Sequence, residues 1–185
     1  MPQQKNESKA APVHSLTYEE IREYLDGVIR TGIKYDLHNI RRLLELLDHP
    51  ERSFPSICIA GTNGKGSVAA FLESILTEAG YKAGLNTSPH LVSPRERLRI
   101  NRVISNKEEF AKAISAIRET ALNSWRPDDP GRPTFFETMT SAALHYFREK
   151  KVDIALMEAG LGGRLDGTNG TQPVLTIITR IGIDH

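Results

Sequence analysis

The residues GTNGKGS, from Gly61 to Ser67, follow directly on a short apolar run, SICIA, at Ser56–Ala60. A strand, a glycine-rich turn carrying lysine and then a helix make a polyphosphate site. The glycines let backbone N–H groups converge, the helix N-terminus adds a positive field, and Lys65 supplies a point charge. The Ser67 hydroxyl is a candidate oxygen for Mg²⁺. The spacing departs from G-x-x-x-x-G-K-[ST]: Ile59 stands at the first glycine position, and Gly66 separates the lysine from the hydroxyl. A glycine-rich turn with an exposed lysine therefore stays open as the plain alternative.

Three more strand ends carry groups suited to the same chemistry. Ser88 closes an extended run in TSPHL, although a hydroxyl beside proline is commonly a turn residue. Glu158 ends VDIALM and opens AGLGGRLDGTNG, which is rich in glycine. Such a carboxylate is either a solvated loop acid or, if buried beside phosphate, in need of a cation. Mg²⁺ prefers oxygen ligands and keeps waters and phosphate oxygens in its shell. IGIDH brings Asp184 and His185 to a fourth edge, where His185, as the last residue, reads alone as a frayed terminus. Singly these are ambiguous. Together, Lys65, Ser67, Ser88, Glu158 and His185 all fall just beyond separate strand ends.

The elements that must position them follow from periodicity. Thr17 and Glu20 have capping-box spacing before a helix with Ile21, Tyr24, Leu25, Val28 and Ile29. Leu37, Ile40, Leu43, Leu44 and Leu47 mark a second helix, and Gly32–Asp36 a loop between the two. After the glycine-rich loop, Val68, Phe71, Leu72, Ile75, Leu76 and Ala79 predict one apolar helix face, with Gly80 as its C-terminal cap. A strand is expected over 82–88 and a weaker extended segment over 98–104. Ser105 with Glu108 predicts a capping box for a helix that turns Phe110, Ile114 and Ile117 inward. PDDPGRP (127–133) is a break, and Thr134 caps a helix facing inward through Phe135, Met139, Ala142, Ala143, Tyr146 and Phe147. VDIALM and VLTIIT are the strongest strands. Apolar strands alternating with helices predict a parallel α/β sheet covered on both sides, with ligands beyond the strands' carboxyl ends.

Composition narrows the field. Across 185 residues, 24 Lys plus Arg against 23 Asp plus Glu leave a net charge of +1, so nothing draws nucleic acid or an anionic membrane. Any bound anion needs a local device. The lone Cys58 forms no internal disulfide and suits a reducing cytoplasm. No run approaches the roughly 18 apolar residues of a membrane span. Residues 1–14 read as a disordered leader.

GTNGKGS, TSPHL, TFFE at Thr134–Glu137, EAGLGGRLDGTN and IGIDH closely resemble, in order and spacing, the folylpolyglutamate synthase/dihydrofolate synthase family of the Mur ligase superfamily. The resemblance runs from about Leu16 to His185 and is weaker around Ile33–Tyr35. It implies a three-layer, parallel-sheet P-loop domain of Mur ligase type. Residues 15–185 would be only its N-terminal part, with the remainder and a C-terminal glutamate-binding domain absent. It further implies ATP on Asn63, Gly64, Lys65, Gly66 and Ser67, and Mg²⁺ at Ser67, Ser88 and Glu158. His185 would serve a second metal, and Lys65, Glu158 and His185 would carry the catalysis. Thr134, Phe135, Phe136, Glu137, Leu165, Asp166 and Gly167 would border a pterin-bearing substrate. The implied reaction joins a folate or dihydropteroate carboxylate to L-glutamate through an acyl phosphate, in a cytoplasmic monomer, with this segment inactive by itself. A ligase acting on a cell-wall peptide precursor and a non-catalytic nucleotide-binding module are the competing possibilities.

Overall fold

The structure, a computed structural model, describes residues 16–29 and 36–183. The expected leader, the Ile33–Tyr35 segment, and Asp184 with His185 lie outside the described residues.

Six strands form one sheet in the order β4-β3-β2-β5-β1-β6. The strands are β1 (Ser56–Ala60), β2 (Ala83–Asn86), β3 (Arg99–Ile100), β4 (Val103–Ile104), β5 (Ile154–Glu158) and β6 (Leu175–Ile178). The helices are α1 (Tyr18–Ile29), α2 (His38–Leu46), α3 (Lys65–Glu78), α4 (Lys107–Ser124) and α5 (Phe135–Lys150). β2, β5, β1 and β6 run parallel, so their carboxyl ends share one edge. The sheet is not parallel throughout: β3 and β4 make an antiparallel hairpin at one edge. Asn101 and Arg102, both at positive φ, close that hairpin in two residues, a loop too short for any parallel crossover.

Alternation along the strands divides the core into two layers. Ile57, Ile59, Leu85 and Leu156 meet Ala69, Val68, Leu72 and Leu76 of α3 on one face. Ala155 and Met157 point the other way, into a larger core of α1, α2, α4 and α5. Gly84 allows that second layer to close, because a Cβ there would lie 2.8 Å from the Phe147 ring. Thr17 and Glu20 form the expected capping box, and Thr134, the expected cap of α5, makes a capping box with Glu137.

Three expectations are corrected. The α4 box lies one residue later than expected, at Asn106 and Glu109, because Ser105 already bonds Leu98 and Arg95 in the hairpin. The inner face of α3 is rotated: Phe71 and Ile75 are 69% and 64% exposed, Ala79 is exposed, and Glu73 is buried. Nor is β6 covered on both sides, since Leu175, Thr176 and Ile178 are exposed among the described residues.

Glu73 owes its burial to a partner on the hairpin. Arg99 Nη2 lies 2.6 Å from its Oε2, and the Arg102 N–H donates to its Oε1 at 2.8 Å. Glu73→Ala leaves the part-exposed Arg99 unpaired and the Arg102 N–H without its acceptor, and should cost about 2 kcal/mol. Equilibrium urea unfolding measures this, and a loss below about 0.5 kcal/mol would show the pair to be unimportant. Among the described residues, no helix is long and apolar enough to cross a membrane.

Candidate functional site

The loop after β1 is held open by backbone contacts with the chain leaving β6. Gly61 sits at φ +129°, and a Cβ there would fall 2.2 Å from Thr179 Oγ1. Only glycine passes at that point. The Thr62 and Asn63 N–H groups donate to the Arg180 carbonyl at 2.9 and 3.2 Å, which fixes the loop's outer wall. Gly64, at φ +89°, is the N-terminal cap of α3, and Lys65 is the first residue of the helix. The Lys65 ammonium turns back into the loop, donating to the carbonyls of Gly61 at 2.7 Å and Thr62 at 3.2 Å. Asn63 and Ser67 are exposed at the mouth.

Gly66, the residue that breaks the usual spacing, has a local reason. A Cβ built on it would lie 3.5 Å from Glu158 Oε1 and 3.8 Å from Oε2, so the first turn of α3 passes directly over that carboxylate. Glu158 closes β5 beside β1 and is 5% exposed. Its Oε2 accepts the Ser88 N–H from beyond β2 at 3.1 Å. Burial raises the Glu158 pKa; the Ser88 N–H, then Lys65 and Arg97, work against that rise. Residues from three adjacent strand ends thus meet in one place. The Ser88–Pro89 peptide there is cis.

Two neighbours escaped sequence reasoning. Arg97 is buried, and its Nε donates to His90 Nδ1 at 3.0 Å. Burial, then Arg97, holds the His90 imidazole below its usual pKa, so Nδ1 stays free to accept. In the sequence, Arg97 is one of three alternating arginines in PRERLRI, and nothing local separates it from Arg95 and Arg99.

The residues expected to border the acyl substrate form an adjoining group built largely on itself. Thr134 and Glu137 are buried and bond each other as the α5 capping box. Asp166 is buried as well: Oδ2 accepts the N–H groups of Gly160 and Leu161, and Oδ1 accepts Thr168 N–H and Oγ1–H. It therefore clasps the glycine-rich loop. Phe136, half-buried, lies where side chains on Gly160 or Gly167 would stand, at 2.6 and 3.3 Å. Phe135 is half-buried and Leu165 exposed. His185 lies outside the described residues.

Among the described residues no group of three or more His, Cys, Asp or Glu side chains gathers around a point. A buried carboxylate, with Ser88 and Ser67 on the two segments that approach it, offers hard oxygen donors, which suit a cation that shares its shell with phosphate oxygens and water.

No protein-family model matches the chain. It is 40% identical over 169 residues to the Dihydrofolate synthase/folylpolyglutamate synthase of Bacillus subtilis, covering 91% of this chain and 39% of that protein. The structure of E. coli FolC in complex with DHPP and ADP superposes with a TM-score of 0.83 at 32% identity, covering 95% of this chain and 41% of that one. A bifunctional folylpolyglutamate synthase/dihydrofolate synthase with Mn, AMPPNP and L-glutamate bound gives a TM-score of 0.80 at 32% identity, over 92% and 40% of the two chains. The chain thus spans about two fifths of the length of the relatives it matches.

Proposed function

We propose, for a chain that belongs to the folylpolyglutamate synthase/dihydrofolate synthase family, that it supplies the nucleotide-binding part of an ATP-dependent ligase. The full polypeptide joins the carboxylate of dihydropteroate or a folate to L-glutamate. The observation that carries this is the meeting of Lys65, Ser88 and Glu158 at three neighbouring strand ends.

A carboxylate is a poor acylating agent, and the site addresses that defect. Its oxygen attacks the γ-phosphorus of ATP, the bond to the bridging oxygen breaks, and ADP leaves with the electron pair. The amine of glutamate then attacks the acyl carbon, a C–N bond forms, and phosphate leaves as the nitrogen gives up a proton. Asn63 to Ser67 would cradle the phosphates through backbone N–H groups. Lys65 would exchange its two carbonyl partners for phosphate oxygens, adding charge where the transferring group needs it. Glu158, with the hydroxyls of Ser88 and Ser67, would hold Mg²⁺, which neutralises phosphate charge when bound. Thr134–Glu137 and Leu165–Gly167 would border the pterin side, with Asp166 shaping the loop rather than offering a free oxygen.

We read residues 15–185 as part of a larger Mur ligase-type ATP-binding domain in a monomeric, cytoplasmic enzyme. Support for the larger domain comes from the greater length of the relatives and the open apolar edge of β6, and for the cytoplasm from the single buried cysteine. The test is phosphate release by the natural polypeptide carrying this segment, measured with dihydropteroate and glutamate added separately and together. Release that needs both is expected, and none is expected from residues 1–185 alone. Release that ignores the pterin would overturn the assignment.

A further inference from the structure

The chemistry above leaves one buried charge without a task. Arg97 is 7% exposed, yet among the described residues it makes no ion pair; Glu158 and Glu96 act on it only through space. A guanidinium carries five N–H donors, and among the described residues the one hydrogen bond from its side chain goes to a neutral imidazole. Holding a cation this deep with no carboxylate in direct contact is costly, so such a group is kept for an anion that arrives later.

The surroundings fix where that anion must sit. The Glu96 carboxylate accepts the N–H groups of Leu91, Val92 and Ser93, and Ser93 caps the short 3₁₀ turn Pro94–Arg97. The Arg97 carbonyl is held by Asn86 Nδ2 at 2.8 Å. The backbone beneath the guanidinium is therefore built before any ligand binds. Its Cζ stands 5.2 Å from the centroid of the Phe135 ring, a cation–π contact that uses none of its N–H donors. Phe135 opens α5 on the acyl-substrate side, while Glu158 faces the phosphate loop. Arg97 stands between the two.

We propose that Arg97 anchors the reacting carboxylate of the acyl substrate and aims it at the phosphoryl group over Lys65. This rests on the ligase assignment. A bidentate fork holds both carboxylate oxygens in one plane, and such positioning is what turns a bound pair into a reacting pair. No bond forms to Arg97 itself.

The test uses Arg97→Gln and Arg97→Lys in the natural polypeptide, with dihydropteroate and its carboxamide as probes in the presence of Mg-ADP. The wild type should favour the carboxylate by about 30-fold or more, and Arg97→Gln should bind both probes within about threefold. Affinity for Mg-ADP and for the carboxamide should match the wild type. A glutamine variant that keeps the preference overturns the proposal, as does one that loses both probes equally. If that variant does not fold, Arg97→Lys decides: a KM for dihydropteroate raised about tenfold supports the fork, and an unchanged KM overturns it. A wild type that binds neither probe instead sinks the ligase assignment itself.

Discussion

Replacing Lys65 with alanine is expected to lower kcat of the full ligase by about 10²–10³-fold, the loss usual for one preorganised charge at a transferring group. The fold should survive. Lys65 is only part-buried, and its ammonium bonds two loop carbonyls that water can also reach. Its backbone work, as the first residue of α3 after the Gly64 cap, needs no particular side chain. The expected pattern is therefore a large fall in kcat, a smaller weakening of ATP binding, and a melting temperature within a few degrees of the wild type. Single-turnover acyl-phosphate formation separates these effects. A variant with kcat within tenfold of wild type would show that the lysine only decorates a turn.

Glu158→Gln should give the opposite split, a protein that is more stable and far less active. Burial is the largest influence on this carboxyl and raises its pKa above the ordinary 4.5, so the site disfavours the charged form. The folded state thus holds the Glu158 proton more tightly than the unfolded chain does. The cost of ionisation is fully present above the raised pKa and fades as pH falls from there toward 4.5. Glutamine keeps an oxygen to accept the Ser88 N–H and carries no charge. Without nucleotide and Mg²⁺, its melting temperature should exceed the wild type's at pH 7, and the gap should close on acidification. Activity should fall by about 10²-fold or more, because a neutral amide holds a hard cation poorly. Thermal scans from pH 4 to 8, with Mg²⁺ titrations of nucleotide binding, test both halves. Undiminished Mg²⁺ dependence in the variant would remove Glu158 from the cation site.

Stability and function pull apart at this one residue for a plain reason. A carboxylate buried ready for a cation is a liability until the cation comes, and Lys65, Arg97 and the Ser88 N–H only partly offset it. Trades of this kind are common at sites built for charge.

Much was legible in the residues alone. The capping box at Thr17, the Thr134 cap, the bounds of β1 and the break at 127–133 depend on neighbours a few residues away, and periodicity reports those directly. The α4 cap shows the limit of that approach. Ser105–Glu108 and Asn106–Glu109 have the same spacing, and the choice between them fell to a hairpin that had already claimed Ser105. The α3 face failed for a related reason. Phe71 and Ile75 fit an apolar stripe, but an ion pair with Arg99, 26 residues further on, turned Glu73 inward instead.

By itself the sequence determined which residues stand at strand ends, because a glycine, serine or glutamate that closes an apolar run is visible in one dimension. Only the tertiary structure decided that β2, β5 and β1 lie side by side, which brings the Ser88 N–H within 3.1 Å of Glu158 and Gly66 over the same carboxylate. Strand order is a contest among pairings separated by tens of residues, settled by packing two layers on one sheet. Arg97 belongs wholly to that second category. Its chemical type is ordinary, and its burial near Glu158 without an ion pair exists only once the chain has folded around it.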